Sequence, residues 1–355
     1  MIRVLALVPY PIDRAPGQRY RIEQWAPLLR RAGVQVTLSP FLSRRGMDLL
    51  YEPGHVAAKA QEILRGYLKR FTDVLWPGSA DVIFVYREAA LLGPAWIEWL
   101  LALRRPLMFD FDDAIYLADT SQANAWSRTL KSVTKVETIC RVARHVTVGN
   151  EFLASYAKDR AREVTVIPST IDTDIYQIQP RAQNRVPVVG WTGSVTTVPY
   201  LMAVAPALRR LREKREFEMR VIGAKVHIEG LAVRCHPWRA ETEPDDLRAL
   251  DLGLMPLPDD DWSRGKCGMK ALQYMALGIP PVVSPVGVNA TIVRDGINGL
   301  HACTEEEWID RIALLLEDEP LRRSLGQEAR RTVEESFSAR AHAPRLARIL
   351  TEAAA

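Results

Sequence analysis

The stretch "GKCGMKALQYMALGIPPVV" at residues 265–283 joins a helix-length segment to a short apolar strand through a Gly-Ile-Pro-Pro turn. Lys266, Lys270 and Gln273 recur at i, i+4 and i+7, so a helix running through them would carry all three on one face. A helix N-terminus already favours anions, because its unpaired N–H groups and partial positive charge point outward. The stretch therefore predicts a diphosphate site; two surface lysines on an ordinary helix are the alternative.

The same alternation of short apolar runs and amphipathic helix-length segments extends along the whole chain. This pattern is typical of parallel α/β sheets and not of sandwiches or bundles. Strands are predicted at residues 3–8, 34–39, 82–86, 107–111, 145–148, 164–167, 188–191, 218–222, 231–236, 252–256 and 281–284. Helices between the first six strands are predicted at residues 19–32, 56–71, 94–103 and 127–143.

A polar segment with two prolines, "YQIQPRAQNRVP" at residues 176–187, interrupts this alternation and predicts a linker. We place the domain boundary near residue 182. The expected parts are residues 1–182, residues 183–338 and a final helix over residues 339–355 that could pack back on the first domain. Two doubly wound sheets in tandem predict a ligand site in a central cleft faced by strand C-termini from both sheets.

The composition of the 355 residues, 48% apolar and 25% charged, is that of a soluble globular protein. The chain opens with a short apolar run stopped by prolines, which predicts a buried strand and a cytoplasmic protein. The longest apolar stretch, residues 91–103, is shorter than the ~20 residues that span a bilayer. Four scattered cysteines without a CxxC pair predict free thiols: Cys140, Cys235, Cys267 and Cys303.

The charge is uneven: residues 1–170 hold 23 Lys and Arg against 17 Asp and Glu (+6), and residues 171–355 hold 24 against 26 (−2). The basic half suggests an anionic acceptor or an anionic membrane surface, with a mixed solvated surface as the alternative. One segment could dip into a membrane or form a core helix, and we favour the core helix: Trp96, Ile97, Trp99 and Leu100, followed by Arg104 and Arg105. No basic run with interleaved aromatic residues indicates nucleic acid.

The segment "VVGWTGSVTTVPYL" at residues 188–201 is a predicted strand, a turn and a helix. Gly193 and Ser194 lie at the strand's C-terminal end, where glycine allows a ligand to approach the backbone and Ser194 or Thr196 could donate to phosphate. Such turns occur throughout α/β proteins, so this segment indicates a phosphate site only in combination with Lys266 and Lys270.

The segment "FDFDDAIYL" at residues 109–117 places Asp110, Asp112 and Asp113 at the end of a strand. Clustered carboxylates are costly unless they are paired or bound to metal, and they often mark function. The alternatives are a helix cap with an arginine partner and a site for Mg²⁺ or Mn²⁺.

The segment "PYPIDRAPGQRYRIEQW" at residues 9–25 follows the first predicted strand and contains Gly17. It also carries three arginines, Arg14, Arg19 and Arg21. Arginines at such a turn could hold an anionic group by bidentate contacts, although exposed loop arginines are common.

Taken together, these segments resemble the GT-B glycosyltransferases, specifically the retaining family 4, whose members carry an "E…EAMACG-PVVAS-VGG" segment. The resemblance is carried by "QYMALGIPPVVSPVGVNATIVRDGINGLHA", "VTVIPSTIDTDIY", "GWTGS", "DLGLMPLP" and "LEDEPLRRSLGQEARRTVEESFS". The first half is similar more weakly, through its opening strand with a Gly loop and "VTVGNEFLASYA". The resemblance implies two Rossmann-like domains, the first on the acceptor side and the second binding a nucleotide sugar.

The resemblance also implies roles for individual residues. Lys266 and Lys270 would neutralise the leaving nucleoside diphosphate, and Asp112 stands where many members have a histidine facing the donor sugar. The expected donor-binding residues are Gly17, Gly193, Ser194, Gln273 and the backbone N–H groups around Val288 and Asn289. The acceptor-side candidates are Arg19, Arg21 and Asp113.

The chain departs from the family pattern at its paired glutamates, eight positions apart, which fall here on Gly265 and Gln273. Gln273 can still hydrogen-bond ribose hydroxyls. The missing first carboxylate could be supplied by Asp260 or Asp261.

The expected function is a retaining glycosyltransferase (EC 2.4, hexosyltransferase type) that moves a sugar from a nucleotide-diphosphate donor to an acceptor hydroxyl, in cell-surface polysaccharide or glycolipid synthesis. No metal or other cofactor is expected. The expected acceptor is a carbohydrate or a lipid-linked molecule, with a peripheral contact at the inner membrane face left open. The alternatives are a non-catalytic nucleotide-sugar-binding subunit and a sugar-nucleotide epimerase or hydrolase on the same fold.

Overall fold

The structure, a computed structural model, describes residues 1–50, 52, 54–117, 134–180 and 184–355. The chain forms two compact units. The first unit contains Met1–Ser169 and His342–Ala355, and the second contains Thr170–Ala341.

The first unit contains a six-stranded parallel sheet in the order β2-β1-β3-β4-β5-β6. Its strands are β1 (Ile2–Val8), β2 (Val34–Pro40), β3 (Val82–Tyr86), β4 (Leu107–Phe111), β5 (His145–Val148) and β6 (Val164–Val166). Every residue of β3, β4 and β5 is buried, as expected for central parallel strands covered on both faces.

The helices of this unit are α1 (Pro16–Gln18), α2 (Ala26–Arg31), α3 (Arg44–Leu50), α4 (Val56–Leu75), α5 (Trp96–Ala102), α6 (Lys135–Val142) and α7 (Glu151–Lys158). The helix predicted over residues 19–32 is interrupted: a π-helical turn spans Arg19–Glu23, and α2 restarts with Pro27 in its first turn. Proline is favoured in the first turn of a helix, where its missing N–H group would have no intrahelical partner, so Pro27 fits the start of α2. Part of the predicted helix 127–143 lies outside the described residues.

The second unit contains another six-stranded parallel sheet, in the order β12-β11-β10-β7-β8-β9. Its strands are β7 (Val188–Thr192), β8 (Glu218–Ile222), β9 (Val233–His236), β10 (Leu252–Met255), β11 (Pro281–Val283) and β12 (Leu300–His301). A 3₁₀ turn, Val195–Thr197, precedes its helices. The helices are α8 (Val198–Ala203), α9 (Ala205–Lys214), α10 (Glu243–Arg248), α11 (Asp261–Arg264), α12 (Met269–Ala276), α13 (Asn289–Ile292), α14 (Glu305–Glu317) and α15 (Glu319–Ser336).

The last helix, α16 (Ala339–Ala354), completes the core of the first unit. Leu346, Ile349 and Leu350 are buried in one cluster with Val4 and Trp25. The chain therefore ends in the unit where it begins.

The prediction of two doubly wound Rossmann-like sheets is confirmed. All eleven predicted strands are present, with ends within two residues of the predicted ones. The additional strand β12 has only two residues, too few to produce a periodic pattern.

The boundary placed near residue 182 lies outside the described residues, and the contacts divide the chain earlier, after Ser169. The reason is that the following residues already pack on the second unit. Ile171 pairs with Ser338, and the Tyr176 hydroxyl donates to Glu243 at 2.6 Å.

Each sheet has a point where the strand order reverses, between β1 and β3 in the first unit and between β7 and β10 in the second. In open α/β sheets, ligands bind outside the carboxyl ends of the strands at such points. Each unit therefore has one edge where a site is expected. Among the described residues, no helix is long and apolar enough to cross a bilayer.

Candidate functional site

In the second unit, the carboxyl end of β7 is built around Trp191, which is fully buried. A Cβ added at Gly193 would lie 2.5 Å from the Trp191 ring and 2.6 Å from Thr197 Oγ1. Only glycine therefore fits this turn without displacing the indole. Ser194 follows with an exposed side chain, its Oγ 2.8 Å from Thr196 Oγ1.

Helix α12 is fixed at the same edge by Tyr274. A Cβ at Gly253 would lie 2.3 Å from the Tyr274 ring, so glycine makes room for this ring against β10. The Tyr274 hydroxyl accepts the Thr192 N–H at 3.0 Å. This contact ties α12, whose first turn carries Lys270, to the end of β7.

The two candidate lysines both lie over aromatic rings near this edge. Lys270 Nζ is 5.6 Å from the centroid of the Trp191 ring. Lys266 Nζ is 5.0 Å from the Trp262 ring and 5.9 Å from the Tyr200 ring. Cation–π contacts of this kind attract an ammonium group. The two ammonium groups thus flank residues 191–200, the segment that contains Gly193 and Ser194.

The expectation that Lys266, Lys270 and Gln273 share one helix face is wrong, because α12 begins only at Met269. Its N-cap is Gly268, with a left-handed φ of 69° that favours glycine. Lys266 lies in the preceding loop.

The loop that carries Lys266 packs against α13. A Cβ at Gly268 would lie 2.4 Å from Ile292 Cδ1 and 3.4 Å from Asn289 Oδ1. The structure therefore brings the predicted residues Val288 and Asn289 next to the turn that starts α12.

Asn289 is fully buried, and not all of its polar atoms have a hydrogen-bond partner among the described residues. Its backbone N–H donates to Val286 O at 3.2 Å, so this N–H is engaged within the turn. Its Nδ2 donates to Ser284 O at 3.2 Å, whereas Oδ1 has no hydrogen-bond partner among the described residues. Buried polar atoms without a partner are rare and invite a ligand or water. The side chain of Asn289 is therefore a better candidate ligand contact than its backbone.

Gln273, which replaces a family glutamate, is buried against a carboxylate. Its Nε2 donates to Glu243 Oε1 at 2.8 Å. Glu243 is itself buried and also accepts hydrogen bonds from Trp238 Nε1 at 2.7 Å and the Tyr176 hydroxyl at 2.6 Å. No sequence motif indicated this group, because Glu243 looks like one of the acidic residues that begin α10.

Asp260 and Asp261, proposed as substitutes for the missing first glutamate, have local partners. Asp260 Oδ1 accepts the Ser263 N–H at 2.7 Å and caps α11. Asp261 is exposed and lies 3.4 Å from Arg264. Glu243, by contrast, is hydrogen-bonded to Gln273, at one of the two glutamate positions.

In the first unit, a polar cluster occupies the carboxyl ends of β1, β3 and β4. A Cβ at Gly17 would lie 2.5 Å from the Tyr86 hydroxyl and 3.0 Å from Asp112 Oδ2. The Tyr86 hydroxyl donates to Asp112 Oδ1 at 2.9 Å, and Arg87 Nε donates to the same oxygen at 2.8 Å. Arg87 also pairs with Asp113. The predicted residues Gly17, Asp112 and Asp113 are therefore brought together at this switch point.

Arg87, which no sequence motif indicated, organises this cluster from a left-handed backbone conformation, φ 59°. This region costs energy for a residue other than glycine, and such strain is often found at functional sites. The Arg87 N–H donates to Asp110 O at 2.7 Å, which ties the strained residue to β4.

The carboxyl of Asp112 is held in its ionised form. Burial by itself raises the pKa of Asp112, but the charges of Arg87 and Arg21 and the hydrogen bonds from Arg87 and Tyr86 bring the pKa below its ordinary value. A base with a lowered pKa accepts protons poorly, so electrostatic polarisation fits Asp112 better than proton transfer. Among the described residues, no group of three or more His, Cys, Asp or Glu could hold a metal ion.

We expect the ion pair between Asp112 and Arg87 to make the free energy of unfolding depend on pH. Because the folded pKa is depressed, its contribution is present above the unfolded value of about 4 and is lost as pH falls through the folded pKa. Thermal midpoints measured between about pH 3 and pH 7 should therefore fall less steeply with acid for Asp112→Asn than for the unchanged protein. Equal slopes would contradict the lowered pKa.

Arg21, an acceptor-side candidate, is instead a buried structural residue. Its Nε and Nη2 bond to the two carboxylate oxygens of Asp110 at 2.9 and 2.5 Å, and both side chains are 2% exposed. Its Nη1 donates to Ile167 O at 2.5 Å. The Arg21 guanidinium is therefore buried and bonded within the first unit, which does not support a contact with an acceptor. Arg19 is half-buried, and its Nη2 donates to the Tyr20 hydroxyl at 2.6 Å.

Comparison with known sequences gives a family for the second unit. Residues 186–318 match the model of the family described as glycosyl transferases group 1. A curated relative, D-inositol 3-phosphate glycosyltransferase from Corynebacterium aurimucosum, is 35% identical over 84 residues, which are 23% of this chain and 19% of the relative. The match thus spans about a fifth of that relative's length.

Comparison with solved structures covers nearly the whole chain. Sucrose-phosphate synthase from Thermosynechococcus elongatus has a TM-score of 0.72 at 16% identity, with 99% of this chain and 98% of that chain covered. HepE from Anabaena, in complex with UDP-glucose, has a TM-score of 0.68 at 16% identity, with 99% and 100% covered. WaaG, a glycosyltransferase involved in lipopolysaccharide biosynthesis, has a TM-score of 0.60 at 14% identity, with 99% and 100% covered. Residues 186–318 are therefore similar to the group 1 glycosyl transferases, and the chain as a whole has the fold of GT-B glycosyltransferases.

Proposed function

We propose that the protein is a retaining glycosyltransferase that moves a sugar from a nucleotide-diphosphate sugar to an acceptor hydroxyl. The proposal rests mainly on the positions of two ammonium groups at the switch point of the second sheet. Lys266 lies over the Tyr200 ring and Lys270 over the Trp191 ring. A diphosphate at this edge would lie against Gly193 and Ser194. Retention of configuration rests on the resemblance to family 4.

The chemistry that these lysines supply is stabilisation of the leaving group. When the bond between the sugar and the diphosphate breaks, its electron pair passes to the diphosphate oxygen, which gains negative charge. Ammonium groups already held in place by aromatic rings stabilise that charge without reorganising. They take the role that a divalent cation has in other phosphate sites, so we propose that no metal is required.

A uridine nucleotide is the first donor to test, because HepE, which shares the fold, has been crystallised with UDP and with UDP-glucose. Two buried polar groups near the lysines are proposed to contact donor hydroxyls. One is the Asn289 side chain, whose Oδ1 has no partner among the described residues. The other is the Gln273 amide held by Glu243.

The cluster in the first unit is proposed to position substrate. The backbone of Gly17 packs directly on the Asp112–Arg87 pair, because a Cβ there would be only 3.0 Å from Asp112 and 3.2 Å from Arg87. Hydroxyl groups of a sugar could donate to such a fixed carboxylate. Arg19 and Asp113 stay as acceptor-side candidates, and synthesis of a cell-surface polysaccharide or glycolipid is the proposed setting.

A thermal-shift panel of UDP-, GDP- and ADP-sugars tests the proposal. A ligand at 100 times its dissociation constant adds about 2.7 kcal/mol to the free energy of unfolding, so one base should raise the melting temperature clearly above the other two. The shift should be the same in EDTA. A shift abolished by EDTA would refute metal independence, and no shift with any donor would refute the donor site.

Turnover of the identified donor then separates the alternatives. Release of nucleoside diphosphate without acceptor would indicate a hydrolase, and conversion of the sugar without release would indicate an epimerase. Tight binding without turnover for any acceptor would indicate a non-catalytic binding subunit. This alternative is considered because Gly265 and Gln273 provide no carboxylate at the two glutamate positions of the family.

A further inference from the structure

The first unit exposes a large apolar surface on α4 and α5 that its core does not use. We define this surface, the α4–α5 apolar face, by Leu64, Leu68, Phe71, Leu75, Trp76, Trp96, Trp99 and Leu103. All of them except the half-buried Trp96 are between 47% and 74% exposed. Single exposed apolar residues are ordinary, but a contiguous group of this size marks an interaction site.

The residues form one continuous surface. Leu64, Leu68, Phe71 and Leu75 follow at i, i+4, i+7 and i+11, the spacing of one helix face. The Trp96 ring lies 5.2 Å from the Phe71 ring, which joins α5 to α4.

Helix α5 is divided between core and surface. Its inward side chains Ile97 and Leu101 are buried, as the core-helix prediction expected, whereas Trp99 and Leu103 point outward. The outward residues lie three and seven positions after Trp96, so they extend the same face. The core-helix prediction is therefore confirmed for the inward side of α5, and the outward side is exposed.

Acidic side chains on α4 and α5 are withdrawn from this face. Glu62 is buried and accepts a hydrogen bond from Ser43, and Glu98 is buried and accepts the Ala89 N–H. Asp73 is paired with Arg70 at 2.8 Å.

Positive charge, by contrast, lies at the edge of the face. Arg65 is exposed next to Leu64, and Arg104 and Arg105 are exposed directly after Leu103. An apolar surface with tryptophans and a basic rim is complementary to the headgroup region of an anionic bilayer. Two copies paired through this face would place these arginines near each other, which is unfavourable.

We propose that the α4–α5 apolar face docks on the surface of a bilayer that contains anionic lipids. The leucines and Phe71 would enter the acyl boundary, the tryptophans would lie at the headgroup level, and the arginines would contact lipid phosphates. The proposal does not depend on the donor site, because it uses no residue of that site.

Cosedimentation with sucrose-loaded vesicles tests the proposal. The protein should bind phosphatidylcholine vesicles that contain about 30% phosphatidylglycerol, bind pure phosphatidylcholine weakly, and dissociate as salt is raised. Leu64→Asp/Leu68→Asp should lower the partition coefficient by at least about tenfold. Each of Arg104→Ala and Arg105→Ala should lower it by about fivefold.

The matched control is Ile297→Asp/Leu314→Asp, which places the same charges on exposed apolar positions of the second unit and should leave binding unchanged. Trp76→Ser is a further test variant at a highly exposed position, so its loss of binding does not depend on a folding defect. Melting temperatures of all variants are compared first.

Two results would overturn the proposal. One is the absence of binding to anionic vesicles, or equal binding by the unchanged protein and Leu64→Asp/Leu68→Asp. The other is a dimer, seen by light scattering without lipid, that this double variant converts to a monomer. That result would assign the face to self-association.

Discussion

Lys270→Ala is expected to lower kcat for sugar transfer by about 10²-fold or more, the usual loss when a preorganised leaving-group stabiliser is removed. Lys270 stands in the first turn of α12, with its ammonium 5.6 Å from the Trp191 ring and beside the turn at Gly193. In the proposed role, Lys270 stabilises a charge that grows as the diphosphate departs, so the effect should fall on kcat more than on KM. Steady-state kinetics with the donor identified by thermal shift would measure both constants.

The control for this variant is Lys214→Ala, which removes a positive charge from an exposed position at the end of α9 in the same unit. It should leave kcat unchanged, because an exposed charge outside the site is screened by solvent and salt. Transfer at the normal rate by Lys270→Ala would exclude the lysine from leaving-group stabilisation. A loss confined to KM would show that it binds the donor equally in the ground state and the transition state.

Local sequence patterns were sufficient to predict both sheets. Central parallel strands are buried on both faces, so they appear as short apolar runs such as β3 and β10, which helices and turns separate. The positions of Gly193 and Ser194 followed from the same pattern, because the residues after a parallel strand always lie at its carboxyl edge. The expectation of a ligand site at this edge rests on the strand order, which reverses between β7 and β10.

Contacts between residues distant in sequence could not be predicted in this way. Gln273 and Glu243 are 30 positions apart, and Arg21 and Asp110 are 89 apart. In each pair, the two residues meet because different helices and strands pack together. The sequence around a single charged residue has no periodic pattern from which its partner could be predicted. The same limit explains why Arg21 was predicted as an acceptor-side residue although its guanidinium is buried.

The two switch points differ in their charges, which suggests a division of roles within the proposed function. In the second unit, the side chains at the edge are cationic and suit a diphosphate. In the first unit, the buried Asp112 carboxylate is balanced by Arg87 and suits hydroxyl groups. This difference follows from residues on each sheet separately, so each can be tested by variants in its own unit.

Arg21→Met is expected to destabilise the first unit by about 3–5 kcal/mol, the usual cost of removing one partner from a buried ion pair. Methionine keeps much of the apolar volume, but it leaves the Asp110 carboxylate, 2% exposed, without the guanidinium that bonds both its oxygens. Chemical denaturation followed by circular dichroism would measure the loss. Arg21→Met/Asp110→Asn should recover part of it, because the second change removes the unpaired charge while Thr147 can still bond to position 110. A loss below about 1 kcal/mol for the single variant, or a double variant less stable than the single, would show that this ion pair does not support the fold.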